Sequence, residues 1–301
     1  MSWFFIAIFS YFLLAIVSLI DKYLLGGELV SPKTYAFYVG ILGIFAFLLT
    51  PLGFFIPSFS IIILALTSGI LHILAIFVLF KAIQLFEVSR IIPAIGGLLP
   101  IFVFGLTFLL PIEKETLSFF ELMAFLLLVL GSVIITYERK KLFSLKSFGL
   151  TFLASFLFSL YFVFAKIVYL SHPFISGFIW TRIGAFLAAI IFLFSREVKS
   201  ELLNKKESSN PKTLAILIPN QVMAAIAFLL QNWAVSLVPL GLLAFVNALE
   251  GTRFVFLLIF SIFLSVKFPQ ILKEEISKKI IFQKIVAILL ISSGLILLAG
   301  R

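Results

Sequence analysis

The sequence is a succession of apolar runs, each about the length that crosses a bilayer, divided by short breaks rich in proline, glycine or charge. Ten such runs can be marked, at 3–25, 34–52, 60–80, 88–110, 117–137, 148–170, 175–194, 214–237, 240–266 and 280–299. About 20 apolar residues span the hydrocarbon core as a helix, and backbone in lipid must satisfy its own polar groups. The expected fold is therefore an all-α integral membrane protein with ten transmembrane helices and no soluble domain, multi-pass in the cell membrane. A mean hydropathy of +1.26, with 63% apolar and 12% charged residues, lies far outside the soluble range. The net charge of +10 would suggest nucleic acid in a soluble chain. Here the basic residues crowd into loops, as the positive-inside rule describes, and no nucleic-acid partner is expected. The run from Trp3 is too long for a signal peptide and lacks a basic start and a small-residue cleavage site, so it is read as a retained helix.

Sliding the second half of the chain over the first brings out an internal repeat. Lys22 meets Lys166 at an offset of 144; Pro32, Phe37 and Gly43 meet Pro173, Phe178 and Gly184 at 141. Ala82, Leu85, Phe102, Val103, Phe104 and Phe108 meet Ala234, Leu237, Phe254, Val255, Phe256 and Phe260 at 152. Ala124, Leu126, Leu127 and Gly131 meet Ala287, Leu289, Leu290 and Gly294 at 163. The offset changes only at loops, which chance matching in a Phe- and Leu-rich chain would not respect. The units are placed at 1–140 and 147–301, across the break at 138–146. Five helices is an odd number, so the second unit enters the membrane with opposite orientation. Inverted repeats of this kind build many secondary transporters, with the binding site near midplane between the units.

The ninth run carries Asn247, Glu250 and Arg253 near its middle. A charge at that depth costs about 2.5–3.5 kcal/mol on insertion scales, so it marks a functional site or a locked intrahelical pair. On helical spacing Asn247, Glu250, Gly251 and Phe254 share one side, with Arg253 at its edge. The eighth run aligns Gln221, Phe228, Gln231 and Asn232, amides with an aromatic between them. The sixth aligns Ser155, Ser159, Phe162 and Lys166, and the first aligns Tyr11, Ser18 and Lys22. Asn247, Glu250, Arg253, Gln221, Gln231, Asn232, Tyr11, Ser155, Ser159 and His72 are the expected substrate-binding residues. His72 could relay protons but is more often a hydrogen-bonded core residue. Lys22 and Lys166, near helix ends, are expected to snorkel to the headgroups. Arg182 is read as structural, with Glu250, an anionic substrate group or the headgroups as its alternatives. In the fourth run Pro93, Gly96, Gly97 and Pro100 fall within eight residues. That is the pattern of a helix broken beside a cavity, or of a kinked packing helix.

The stretch 81–102 with Leu99-Pro100-Ile101-Phe102, then Glu115-Thr116-Leu117-Ser118 and Gly131 sixteen residues after Glu115, resembles the EamA repeat of the drug/metabolite transporter superfamily. In the second unit Leu249-Glu250-Gly251 stands where that family often has Leu-Glu-Pro. The resemblance covers nearly the whole chain. It implies a ten-helix carrier of small metabolites whose cavity is lined by the first, third and fourth helices of each repeat.

The expected function is alternating-access transport of a small polar or amphipathic metabolite. A flippase for a lipid-linked sugar is the first rival and would need an opening to lipid between the first and ninth helices. A non-transporting scaffold is the second and would need Glu250 and Arg253 fully paired in a solid bundle. An enzyme is not expected. The carboxylates are scattered singly, there is no Cys, and His72 and His172 form no ligand spacing, so neither metal nor cofactor is expected. The expected partners are the bilayer and a small-molecule substrate, with a homodimer left open. Of 23 basic residues, 18 fall in the odd-numbered loops against three on the other side. That bias places the odd loops in the cytoplasm and both termini outside.

Overall fold

The computed structural model describes residues 2–24, 31–86, 88–110, 118–136, 145–203, 211–267 and 278–299, nearly all of them helical. In chain order the helices are α1 (Ser2–Leu24), α2 (Pro32–Leu42), which continues as a 3-10 helix over Gly43–Leu52, α3 (Phe59–Leu85), α4 (Val88–Leu109) and α5 (Phe119–Thr136). Then come α6 (Leu145–Ser171), α7 (Phe174–Phe192), α8 (Arg196–Leu203) and α9 (Pro211–Leu237). A 3-10 turn (Leu240–Leu242), α10 (Leu243–Ala248), α11 (Glu250–Lys267) and α12 (Lys278–Ala299) complete the chain. Among the described residues there is no strand. Among the described residues, six segments are long and apolar enough to cross a bilayer: Ser2–Ile20, Pro32–Leu52, Phe59–Leu85, Leu145–Ser171, Phe174–Phe192 and Leu240–Phe260. Ala94–Leu109, Phe119–Ile134 and Phe282–Leu298 are shorter apolar helices. The protein is thus all-helical, with the character of a multi-pass membrane protein.

Helix packing interleaves the two halves of the chain. Helix α3 lies against α6 and α7, α1 against α9 and α11, α4 against α5 and α6, α2 against α7, and α5 against α12. Small residues decide where backbones meet, because apolar side chains have no preference between a neighbouring helix and lipid. Gly69 and Gly184 bring α3 and α7 together: a Cβ on Gly184 would collide with the Leu66 carbonyl, and one on Gly69 with that of Thr181. On α5, a Cβ on Gly131 would stand 3.1 Å from the Ala287 carbonyl of α12, beside Ile291. A Cβ on Gly294 of α12 would stand 3.0 Å from the Ala124 carbonyl, beside Leu128.

Among the described residues, two sets of polar contacts tie the two ends of the segment 31–55 to α7 and α8. At one, Glu197 Oε1 pairs with Lys33 at 3.1 Å and the Ser31 N–H donates to Glu201 Oε2 at 3.3 Å. At the other, the Phe55 N–H donates to Ser176 Oγ at 2.7 Å, and that hydroxyl donates to the Gly53 carbonyl. The stretch 196–212, read from sequence as a polar break, begins with the short helix α8. Val198 on its inner face is buried against Phe37 and Ala189, which leaves its carboxylates free to reach α2. The second run loses its α form after Leu42. Pro51 has no N–H for the Phe47 carbonyl, which accepts the Thr50 hydroxyl at 2.6 Å instead.

The expected helix break in the fourth run is corrected by the structure: α4 is continuous through Pro93, Gly96, Gly97 and Pro100. Gly96, Gly97 and Pro100 are buried, and Gly97 faces α5 so closely that a Cβ there would stand 2.8 Å from Val133. The glycines serve helix approach. The interruption lies instead in the ninth run, between α10 and α11 at Leu249. There the Leu249 carbonyl accepts both the Thr252 N–H at 2.9 Å and the Thr252 hydroxyl at 2.7 Å, a tightened turn in place of the α pattern. All six residues of α10 are buried in the centre of the molecule.

Candidate functional site

Glu250 is the first residue of α11, directly after the interruption. Its Oε1 accepts from Arg253 Nη1 at 3.3 Å, one helical turn on. Arg253 Nη2 reaches across to α1 and donates to Ser18 Oγ at 2.7 Å, while Arg253 Nε has no partner. About a quarter of each charged side chain is open, 23% for Glu250 and 28% for Arg253. The pair is thus partly open and keeps one donor, Arg253 Nε, to spare.

The second layer is built from α1, α9 and α10. In an unbroken helix the Val246 carbonyl would accept from the Glu250 N–H; here it accepts the buried Tyr11 hydroxyl at 2.8 Å. Tyr11 Oη in turn accepts from Gln231 Nε2 at 3.2 Å. The next residue, Asn232, points to the other side of α9. Its Oδ1 accepts the hydroxyls of Tyr161 at 2.8 Å and Tyr169 at 3.0 Å on α6, and its Nδ2 donates to the Phe228 carbonyl. Gln231 and Asn232 therefore join the Glu250 region to a second polar cluster.

That second cluster surrounds Arg182 on α7. Arg182 is 6% exposed, and its Nη2 lies 3.3 Å from His72 Nδ1. A guanidinium has no lone pair to offer, so it donates and His72 is the acceptor, which makes the imidazole neutral with its proton on Nε2. The guanidinium carbon stands 4.5 Å from the centre of the Phe228 ring and 5.8 Å from that of Phe178. The His72 ring packs on Tyr161 at 4.6 Å and on Phe228 at 5.2 Å. A cation–π contact gives about 2 kcal/mol when desolvated. No carboxylate among the described residues pairs with Arg182.

The structure gathers Tyr11, Gln231, Asn232, Glu250 and Arg253 of the expected site, and ties His72 to the same network through Tyr161. Asn247 is buried one turn before Glu250; its Nδ2 donates back to the Leu243 carbonyl and its Oδ1 has no partner. Gln221 is exposed and stands outside the cluster. Ser155 and Ser159 are buried on α6. The Ser159 hydroxyl bonds its own helix at Phe156 and that of Ser155 has no partner, so neither meets the Glu250–Arg253 pair. Arg182 meets His72 and not Glu250. Lys166 does not snorkel: it is 1% exposed, and its Nζ donates to the Ser236 carbonyl at 2.9 Å, where the C-terminal end of α9 favours a cation. The side chain of Lys22, the other lysine expected to snorkel, lies outside the described residues. Tyr161 and Tyr169, eight residues apart on α6, were not singled out from sequence; two intramembrane tyrosines on one helical face were the available signal.

No family model matches the sequence, and no curated protein matches it. Solved structures do. One, a crystal structure of a protein, superposes with a TM-score of 0.68 over 98% of this chain and 97% of its own, at 16% sequence identity. At that identity the likeness shows that the whole chain adopts a fold already seen in a solved structure.

Proposed function

We propose that the protein is a secondary transporter of the EamA type in the cell membrane. It moves a small polar or amphipathic metabolite by alternating access between two inverted five-helix repeats that together span the bilayer ten times. The observation that carries this reading is the Glu250–Arg253 pair. Two charged groups sit on a spanning segment, are tied to α1 through Ser18, and keep about a quarter of their surface open. Lipid would not tolerate that opening, so it belongs to a polar cavity.

The packing supports the repeat. Gly131 meets Ala287 and Ile291, and Gly294 meets Ala124 and Leu128, all related by the offset of 163. Such reciprocity is what a two-fold axis between α5 and α12 produces. The contact of Ser31 and Lys33 with α8, and of Phe55 with Ser176, places loops one and seven together and loops two and six together, as an alternating ten-span path requires. The seam between α1 and α11 is closed by Phe12 against Phe256 at 5.3 Å and Phe260 at 5.7 Å, which favours an enclosed cavity over a lipid pathway. The unpartnered Nε of Arg253 and the open surface of the pair favour a binding site over a scaffold.

The test is a metabolite counterflow screen with the full chain in proteoliposomes, run beside the Glu250→Gln variant. Exchange of at least one solute that the variant fails to drive with a pH gradient is the expected result. Absence of exchange across amino acids, sugars and organic acids would overturn the reading.

A further inference from the structure

Arg182 is a buried cation that the transport reading does not use. Its guanidinium carries five N–H donors in a planar fork, yet the nitrogen acceptor within reach is a neutral imidazole, His72 Nδ1 at 3.3 Å. Its Nε is buried and has no acceptor. The helices around it bring rings and hydroxyls: α3 brings His72, α6 brings Tyr161 and Tyr169, and α9 brings Phe228. Both tyrosine hydroxyls donate to Asn232 Oδ1, so they supply no negative charge. The site thus has a cation, an unpartnered Nε donor and aromatic neighbours, and among the described residues it has no anion.

We propose that Arg182 anchors an internal anion site that takes the carboxylate of an amphipathic organic acid. The carboxylate seats on the guanidinium edge that includes Nε, and the apolar part of the acid lies against Phe228 and Phe178. A planar carboxylate accepts two parallel N–H bonds from such an edge, which chloride cannot do. A single negative charge balances the single cation, whereas a phosphate dianion would leave excess charge in a low-dielectric interior. Phe228 packs on both the guanidinium and His72, so it orders the donor edge as well as the wall. That this acid is the cargo rests on the transport reading; the existence of the anion site does not.

The experiment separates the two. The full chain in detergent is titrated with phenylacetate, phenylacetamide, inorganic phosphate and chloride, and binding is read as a rise in Tm. Phenylacetate is expected to stabilise saturably and phenylacetamide not to. Arg182→Gln abolishes the response, and Arg182→Lys, which keeps the charge without the fork, needs at least about tenfold more ligand. Phe228→Leu weakens the response while leaving the charge in place, so the proposal stays testable if Arg182→Gln does not fold. Equal stabilisation by the amide, an unchanged response in Arg182→Lys and Phe228→Leu, or no saturable response to phenylacetate would overturn it. Stabilisation by chloride or phosphate that phenylacetate merely matches would overturn the organic-acid assignment. Saturable binding without counterflow in vesicles would leave the anion site standing and count against transport.

Discussion

Replacing Glu250 by Gln removes the charge that faces Arg253 while keeping side-chain volume and a hydrogen-bond acceptor. The pair is neither a surface ion pair, typically about 0.2–1 kcal/mol, nor a fully buried one, whose breakage costs about 3–5 kcal/mol. With 23% and 28% of the side chains open, solvent screens part of the interaction, and Ser18 still accepts from Arg253 at 2.7 Å after the change. Each single variant, Glu250→Gln or Arg253→Gln, should therefore lose about 1–2 kcal/mol, between those limits. The pair should show a coupling of about 1 kcal/mol in a double-mutant cycle. Reversible unfolding in mixed micelles, followed by the fluorescence of Trp3, Trp180 and Trp233, measures this. Function should divide differently. Glu250→Gln should retain solute binding and lose pH-gradient-driven uptake, because a carboxylate in a polar cavity can exchange a proton and an amide cannot. The double variant should recover stability without recovering transport. Full transport in the double variant would refute any role for the pair beyond balancing its own charge, and a coupling below about 0.3 kcal/mol would refute the ion pair itself.

If Arg253 grips an anionic group of the solute, Arg253→Lys should weaken binding about as much as Arg253→Ala, which equilibrium binding in detergent compares directly. Asn232→Leu strands the hydroxyls of Tyr161 and Tyr169, for a loss of about 1–3 kcal/mol read in the same unfolding assay, and adding Tyr161→Phe should restore part of it. Gly184→Val drives a side chain into the Leu66 backbone and should separate α3 from α7 at about 1–3 kcal/mol or more, seen as a lowered Tm. Ser208 lies outside the described residues, in the stretch that the sequence reads as loop seven; Ser208→Cys in this Cys-free chain should be labelled by an impermeant thiol reagent only after the cells are opened, and labelling in intact cells would reverse the orientation.

The sequence by itself determined that the chain is helical and built for a membrane, because hydropathy and run length are local quantities that lipid reads directly. It also pointed to Glu250 and Arg253, since a charge amid two dozen apolar residues is conspicuous without any knowledge of its neighbours. What it misjudged or left open were the matters that depend on a partner far along the chain. Proline and glycine in α4 left a broken helix and a packing helix both open; Gly97 is spent on the approach of α5, and the interruption falls at Leu249, where the Tyr11 hydroxyl, 235 residues away from Val246 in sequence, takes a carbonyl. Lys166 looked like a snorkelling residue until the end of α9 was placed beside it. Arg182 was left with Glu250, an anionic group or the headgroups as open alternatives to a structural role, because hydropathy does not distinguish a face turned to lipid from one turned to another helix. Only the tertiary structure, through close contacts such as Gly69 and Gly184 between α3 and α7, decided that its guanidinium would meet His72 and Phe228.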